Sequence, residues 1–182
     1  MSITAMAENS PPFFILTGPP GAGKTTLLRA LRDRANTIDE PARRVLATAR
    51  QTGNGATGEE NPEKFISHML QCALEDYRSA VGLTVFDRAL PDLLAYCAYY
   101  QCSDQAVAQA IRALPYRSPV FFLPAWEEIY ETDEERTLTF SGAKAFGDRI
   151  EAAYRSCGYE LLTVPMGDPV ARADFTWQQI KD

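Results

Sequence analysis

The chain has 182 residues, of which 46% are hydrophobic and 23% are charged, and its formal net charge is −6. This length and composition suit one globular domain with a full hydrophobic core. No stretch approaches the ~20 consecutive apolar residues of a membrane span. An acidic chain also lacks the basic surface that a sequence-independent nucleic-acid binder needs. We therefore expect a cytoplasmic protein with neither a nucleic acid nor a membrane as partner.

The first twelve residues have neither the basic start nor the apolar stretch of a secretory signal. We interpret residues 1–12 as a flexible leader and residues 13–182 as a single domain. The four cysteines show neither C-x-x-C spacing nor a pairing pattern. We expect them to be small apolar residues of the core, namely Cys72, Cys97, Cys102 and Cys157.

A glycine-rich motif follows the first apolar run, Phe13–Thr17, and precedes a predicted amphipathic helix. It fits G-x-x-x-x-G-K-[ST], and this strand and helix context is typical of a phosphate-binding P-loop. In such a loop the backbone N–H groups surround the phosphates, the lysine contacts the β- and γ-phosphates, and the threonine hydroxyl binds Mg²⁺. The predicted nucleotide-binding residues are Gly18, Pro19, Pro20, Gly21, Ala22, Gly23, Lys24, Thr25 and Thr26.

A second, weaker strand at 36–39 ends in Asp39, and a further acidic residue, Glu40, follows it directly before Pro41. Phosphoryl transfer to a hydroxyl profits from a carboxylate that orients the acceptor and takes its proton. Glu40 or Asp39 could serve this purpose. The alternative is that the acidic residue only caps the helix that begins at the proline.

The segment 51–61 is rich in glycine and polar residues, and it predicts a mobile loop. An amphipathic helix at 62–80 follows, with Asn61 as its cap. The third strand, 83–87, ends in Asp87, as the second motif of P-loop proteins requires, and Asp87 would bind Mg²⁺ through water. Arg88 follows directly. The alternative is that Asp87 and Arg88 cap the next helix and pair with each other.

Two further strands, at 120–123 and 160–164, alternate with helices at 104–114 and 141–157 and with a final helix that begins at Asp168-Pro169. Alternating strands and helices predict a parallel sheet covered by helices on both faces. A ligand would then bind beyond the carboxyl ends of the strands. Three tyrosines at 96, 99 and 100 could stack on an acceptor, although we favour core packing for them. The acidic segment 127–137 contains one cation, Arg136.

Several sequence blocks in this order resemble the NadR-type AAA domain family of P-loop proteins: FFILTGPPGAGKTTLL, IDEPARRVL, FDRALPDLLAYC, VFFLPAWEEIYETDEERTLTF and YELLTVP…DPVARADF. The resemblance extends from about Phe13 to Phe175. It implies the three-layer α/β/α fold of nucleoside and nucleotide kinases, with a parallel five-stranded sheet of order 2-3-1-4-5.

The resemblance also implies roles for single residues. Asp87 and Arg88 match a D-R motif that faces Mg²⁺ and the acceptor, and Glu40 with Arg43 matches an E-P-A-R block beside the acceptor. Arg136 matches an arginine of the lid, which would comprise residues 127–140 and close over the transferred phosphate. By its place in kinases of this fold, Arg172 would border the adenine.

The sequence therefore predicts an ATP-binding enzyme that uses Mg²⁺ to phosphorylate a small molecule, such as a nucleoside or another metabolite with a hydroxyl group. The predicted catalytic residues are Lys24, Glu40, Asp87, Arg88 and Arg136, and Thr25 and Asp87 form the metal site. The alternative is an adenine-nucleotide NTPase or switch that acts through a protein partner. Guanine selection is excluded because no lysine lies in an [NT]-K-x-D motif. The acceptor and the oligomeric state are left open.

Overall fold

A computed structural model describes residues 10–131 and 138–181. Five strands form one parallel sheet in the order β2-β3-β1-β4-β5, as the resemblance implied. The strands are β1 (Phe13–Thr17), β2 (Asn36–Ile38), β3 (Thr84–Asp87), β4 (Val120–Phe122) and β5 (Leu161–Thr163). Each lies within the predicted run, and the last four are one or two residues shorter because their ends lose the ladder of hydrogen bonds.

Seven α-helices are described, together with one 3₁₀ turn at Glu127–Ile129. Their bounds are α1 (Lys24–Leu31), α2 (Pro41–Thr52), α3 (Pro62–Ser79), α4 (Asp92–Tyr100), α5 (Gln105–Ala113), α6 (Phe140–Ser156) and α7 (Pro169–Lys181). The predicted cap of α3 is confirmed, since Asn61 accepts a hydrogen bond from the Lys64 N–H. The first two residues of the predicted loop 51–61 belong instead to α2, which ends at a left-handed Gly53.

Residues of the central strand β1 alternate between the two faces of the sheet. Phe13 and Ile15 belong to a core formed with α3, α4 and α6, whereas Phe14 and Leu16 belong to a core formed with α1 and α7. All five residues of β1 and all four of β3 are buried, while the edge strand β2 is only half-buried. The sheet is therefore covered on both faces, as parallel sheets require.

The register of the strands brings the chemistry-bearing residues to one edge of the sheet. Leu16 of β1 pairs with Asp87 of β3 on one side and with Phe121 of β4 on the other. The carboxyl ends of these three strands thus lie together, next to the segment that connects β1 to α1. Among the described residues, no helix is both long and apolar enough to cross a bilayer.

Candidate active site

The segment between β1 and α1 has the backbone form of a P-loop. Gly18, Gly21 and Gly23 have φ angles of 136°, 78° and 82°, which residues with a Cβ rarely adopt. At Gly18 a Cβ would also overlap the carbonyl oxygen of Leu123. Glycine at this position therefore lets the start of the loop pass directly over the end of β4.

Lys24 is the first residue of α1, and its side chain lies inside the curl of this loop. Its Nζ donates hydrogen bonds to the carbonyl oxygens of Gly18 (3.2 Å) and Pro19 (2.9 Å). Burial lowers the pKa of Lys24 to about 8. The positive charge of the ammonium group is therefore poorly stabilised in the free protein, which favours the binding of an anion beside it.

Thr25 and Asp87 face each other where α1 begins and β3 ends. The Thr25 hydroxyl donates to Oδ2 of Asp87 at 3.1 Å. Oδ1 of Asp87 is buried and has no hydrogen-bond partner among the described residues. Burial raises the pKa of Asp87 to about 6, with a smaller contribution from the Glu40 charge. A buried carboxylate with an unused oxygen beside a hydroxyl fits Mg²⁺, which is commonly held by one or two protein oxygens together with phosphates and water.

Arg88 does not pair with Asp87, which was the alternative considered from the sequence. Its Nε donates to Oε1 of Glu40 at 2.8 Å, and its Nη1 donates to Oδ1 of Asp92, also at 2.8 Å. The guanidinium is almost fully buried, yet Arg88 borders the cleft described below. The structure thus holds this cation between two carboxylates, one just after β2 and one at the start of α4.

The two acidic residues after β2 point in different directions. Glu40 borders the cleft and has a lowered pKa, because Arg88, Lys24 and Arg43 outweigh the effect of its burial. It occupies the cap position of α2, but its side chain makes no capping hydrogen bond. Asp39 is 60% exposed and pairs with Arg32 at 3.3 Å. Of the two candidates, only Glu40 faces the cleft.

A cleft of about 900 Å³ opens above the carboxyl ends of the strands. Six of the nine predicted P-loop residues line it, whereas Gly18, Pro19 and Ala22 lie behind its surface. Arg172 of α7 borders the cleft near the loop, and its guanidinium carbon lies 5.5 Å from the centre of the Trp126 ring. The Nε of Arg172 is buried without a hydrogen-bond partner among the described residues.

The cleft continues into a region formed by α2, α3, α4 and α6. We call this region the aromatic half. Phe65 makes edge contacts with Tyr96 and Tyr100, with ring centres 6.2 Å and 6.4 Å apart. The three predicted tyrosines therefore pack against neighbouring rings and also border the cleft. The aromatic half is lined by Leu46, Phe65, Tyr96, Tyr99, Tyr100 and Phe146.

The loop between α2 and α3 forms a wall of the aromatic half. Lys64 Nζ donates to the Asn54 carbonyl at 2.6 Å, and the Ala56 side chain is fully buried. Gly58 borders the cleft, and a Cβ there would overlap the hydroxyl of Tyr100. This loop therefore makes specific contacts with α3 and α4, while its mobility stays a prediction.

The start of the predicted lid lies over the P-loop. The ring of Tyr130 packs against the Cα of Gly21 so closely that a Cβ at this glycine would overlap it. The Tyr130 hydroxyl donates to the Leu138 carbonyl at 2.6 Å. The predicted lid arginine, Arg136, lies outside the described residues.

The charge around the cleft differs from that of the chain as a whole. Although the net charge is −6, five cations and three carboxylates among the described residues line the cleft. A cationic surface in a recessed site concentrates anionic ligands. The cations are Lys24, Arg29, Arg43, Arg88 and Arg172, and the carboxylates are Glu40, Glu59 and Asp168.

Asp92, Gly58 and Tyr130 are among the residues at this site that were not identified from the sequence. Asp92 looks like an ordinary acidic residue in the first turn of a helix, and Gly58 lies among other loop glycines. Contacts with residues distant in the chain distinguish them: Gly58 contacts Tyr100, and Asp92 accepts hydrogen bonds from Thr17 and Tyr154, which are 75 and 62 residues away. No local pattern could have identified them.

Comparison with known proteins is consistent with this geometry. A family model described as an AAA domain matches residues 13–172. A comparison with curated proteins found no match. Among solved structures, the chain is similar to the NadR protein in complex with NR, with 16% identity and a TM-score of 0.68 over 94% of this chain and 51% of that one.

Two other similar structures are kinases that the chain matches over nearly their whole length. A deoxyadenosine kinase from M. mycoides with bound dCMP and dCDP has 12% identity and a TM-score of 0.65, covering 93% of this chain and 98% of that one. A thymidylate kinase from Ehrlichia chaffeensis has 15% identity and a TM-score of 0.58, covering 95% and 99%. At these identities the likeness shows the fold, which is that of the P-loop kinases.

Proposed function

The chain belongs to this AAA domain family of P-loop proteins, and on that premise we propose that it transfers the γ-phosphate of ATP to a small-molecule acceptor. The observation that carries the proposal is the shape of the cleft. It joins a P-loop to the aromatic half, and Glu40 and Arg88 lie where the two meet. An NTPase that acts only through a partner has no need of an aromatic extension of the cleft beside the phosphates.

At the nucleotide end, the P-loop amides and Lys24 would bind the β- and γ-phosphates. Thr25 and Asp87 would hold Mg²⁺, which when bound neutralises charge on the phosphate oxygens. Arg172 and Trp126 would border the base. The support for these roles is the curled backbone, the buried ammonium group and the unused oxygen of Asp87.

At the acceptor end, Glu40 would orient a hydroxyl group toward the γ-phosphate. The acceptor oxygen forms a bond to phosphorus, the bond from phosphorus to the β–γ bridging oxygen breaks, and ADP leaves. The hydroxyl proton passes to Glu40. Since the transition state of such transfers is largely dissociative, orientation matters more than basicity, so a carboxylate with a lowered pKa suffices. Arg88 would offset the charge of the transferred group.

The composition of the aromatic half supports an acceptor with a flat ring or another apolar body. Its rings offer faces and edges for stacking, and Glu59 and Arg43 supply polar contacts at its border. A nucleoside or a similar metabolite fits this description. Arg136 stays a proposed lid residue on the resemblance alone.

The proposal is tested by incubating the pure protein with γ-labelled ATP, Mg²⁺ and a library of nucleosides, nucleotides and sugars. We expect a labelled product whose formation depends on one acceptor class, detected by chromatography and mass spectrometry. Lys24→Ala serves as the inactive control. ATP hydrolysis without any acceptor-dependent product would contradict the proposal. Assembly that changes with a non-hydrolysable ATP analogue would then favour the alternative, a nucleotide switch.

A further inference from the structure

Asp92, in the first turn of α4, is the most completely bonded carboxylate described in the structure. Its side chain is fully buried and does not border the cleft. Oδ1 accepts hydrogen bonds from the Thr17 hydroxyl at 2.6 Å and from Nη1 of Arg88 at 2.8 Å. Oδ2 accepts from the Ala89 N–H at 2.9 Å and from the Tyr154 hydroxyl at 2.5 Å.

The four donors come from different parts of the fold that meet at this carboxylate. Thr17 ends β1 and is the residue directly before the P-loop. Arg88 and Ala89 follow β3, and Tyr154 lies in the last turn of α6. Asp92 therefore connects the base of the P-loop to the segment that carries Arg88.

Arg88 needs such support because its backbone is strained. Its φ angle is 67°, a left-handed conformation that residues with a Cβ adopt only when their surroundings hold them there. Its N–H donates to the Leu16 carbonyl at 2.9 Å, which fixes the end of β3 to β1. Asp92 accepts hydrogen bonds from the Arg88 guanidinium and from the Ala89 N–H, so it fixes both the Arg88 side chain and the turn after β3.

We propose that Asp92 is a positioning residue for phosphoryl transfer, which holds Arg88 so that its Nε meets Glu40 and its guanidinium borders the cleft. Asp92 acts through Arg88, since Asp92 itself is buried behind the site and does not border the cleft. This inference rests on the proposed kinase function for its kinetic consequences. Its structural part, the dependence of Arg88 on Asp92, stands by itself.

The first experiment compares Asp92→Asn with a matched control, Asp76→Asn. Asp76 is also a buried carboxylate paired with an arginine, but its partner Arg44, unlike Arg88, does not border the cleft. We expect both variants to melt at a lower temperature than the wild type. Only Asp92→Asn should lower kcat, by about 10- to 100-fold, while its Kd for Mg·ATP changes less than about threefold.

The second experiment asks whether the effect passes through Arg88. We expect Arg88→Gln to lower kcat strongly and the addition of Asp92→Asn to lower it by no more than about twofold further, because residues that act as a unit are not additive. If the fold-losses in kcat of the two single variants multiply in the double variant, the positioning role is overturned. A wild-type kcat in Asp92→Asn would overturn it as well.

A third measurement does not depend on catalysis. The Nε–H of Arg88, bonded to Glu40, should give a protected signal in a ¹H–¹⁵N spectrum, assigned by its loss in Arg88→Lys. We expect Asp92→Asn to shift or broaden this signal and Asp76→Asn to leave it in place. If the Arg88 signal is unchanged in Asp92→Asn, the positioning role of Asp92 is overturned, whether or not an acceptor has been found. If the signal is lost in Asp92→Asn but the wild type has no transferase activity, only the proposed function is contradicted.

If Asp92→Asn does not fold, Tyr154→Phe replaces it. This substitution removes one donor to Asp92 and leaves the ring in the core, where it is fully buried. We expect the same direction of change in the Arg88 signal and in kcat, with a loss of about two- to tenfold. Wild-type kcat and an unmoved Arg88 signal in Tyr154→Phe would overturn the proposal.

Discussion

The Thr25 hydroxyl lies 3.1 Å from Oδ2 of Asp87, so the residue after the P-loop lysine meets the last residue of the neighbouring strand. The two residues are 62 positions apart in the chain, and the pairing of Leu16 with Asp87 across the sheet brings them together. This relationship places a hydroxyl and a carboxylate where Mg²⁺ would meet the phosphates, and it allows two tests of Asp87.

The first test separates nucleotide binding from turnover. Asp87→Asn keeps the shape of the side chain but removes the charge that the proposed metal role requires. We expect kcat to fall by at least about 100-fold, because electrostatic stabilisation of transfer is lost, while the Kd for nucleotide rises by less than about tenfold. Calorimetry and steady-state kinetics measure the two quantities. Equal losses in both would contradict the metal role.

The second test concerns stability. The pKa of Asp87 is raised from 3.8 to about 6, so the folded protein binds this proton more tightly than the unfolded chain does. The free energy of unfolding therefore falls as pH rises through the interval from about 4 to 6, and above it the buried charge is destabilising.

We accordingly expect Asp87→Asn to raise the free energy of unfolding at pH 7.5, on the order of 2 kcal/mol. The gain should shrink to a small fraction at pH 4, where the wild-type carboxyl is protonated in the folded protein and about half protonated in the unfolded chain. Urea denaturation at the two pH values measures the difference, with exposed Asp39→Asn as the control. A variant that is less stable than wild type at pH 7.5 would show that the charge is compensated in the folded protein.

Lys24 links pH to nucleotide affinity. Its pKa in the free protein is lowered to about 8, so the ammonium group loses its proton above that pH unless a polyphosphate is bound. We expect the Kd for Mg·ATP to rise by up to about tenfold per pH unit above pH 8. Lys24→Ala should bind at least 100-fold more weakly and should show no such slope between pH 7.5 and 9.5. Calorimetric titrations over this range provide the test.

Glu40 and Asp39 form a matched pair for testing the acceptor side. Glu40 borders the cleft and bonds to Arg88, whereas Asp39 is 60% exposed and pairs with Arg32. We expect Glu40→Gln to lower acceptor-dependent kcat by about 100-fold or more, as for other positioned carboxylates. Asp39→Asn should change kcat by less than about twofold. A larger loss in Asp39→Asn than in Glu40→Gln would move the acceptor-orienting role to Asp39.

Gly58 allows a test of the aromatic half. A Cβ at this position overlaps the Tyr100 hydroxyl and ring, so Gly58→Ala must displace either the loop or the tyrosine. We expect a loss of about 1–3 kcal/mol in stability, as for other overpacked sites, and an acceptor KM raised several-fold at unchanged Kd for ATP.

Gly53→Ala is the control for backbone strain alone. Gly53 has a φ angle of 64°, and nothing lies within 4 Å of a Cβ placed there. We expect it to cost about 1 kcal/mol without any change in acceptor KM. The same KM change in both variants would show that the acceptor does not enter the aromatic half.

Much of the framework could be predicted from local patterns. The P-loop occupies consecutive residues, so its glycines, Lys24 and Thr25 could be recognised directly. The alternation of apolar runs with amphipathic helices predicted a parallel sheet, and the resemblance to a known family supplied the strand order that was confirmed. Errors were confined to the ends of elements, and the packing of the loop at 53–61 against Tyr100 has no local signal.

The sequence by itself therefore determined the motifs that are made of consecutive residues. These are a phosphate-binding loop between a buried strand and a helix, and acidic residues at the ends of two further strands. Tertiary structure alone decided which of these side chains meet. Glu40 and Arg88 are 48 residues apart, and Thr17 and Asp92 are 75 apart. Such pairings depend on strand register and helix packing, which no run of neighbouring residues encodes.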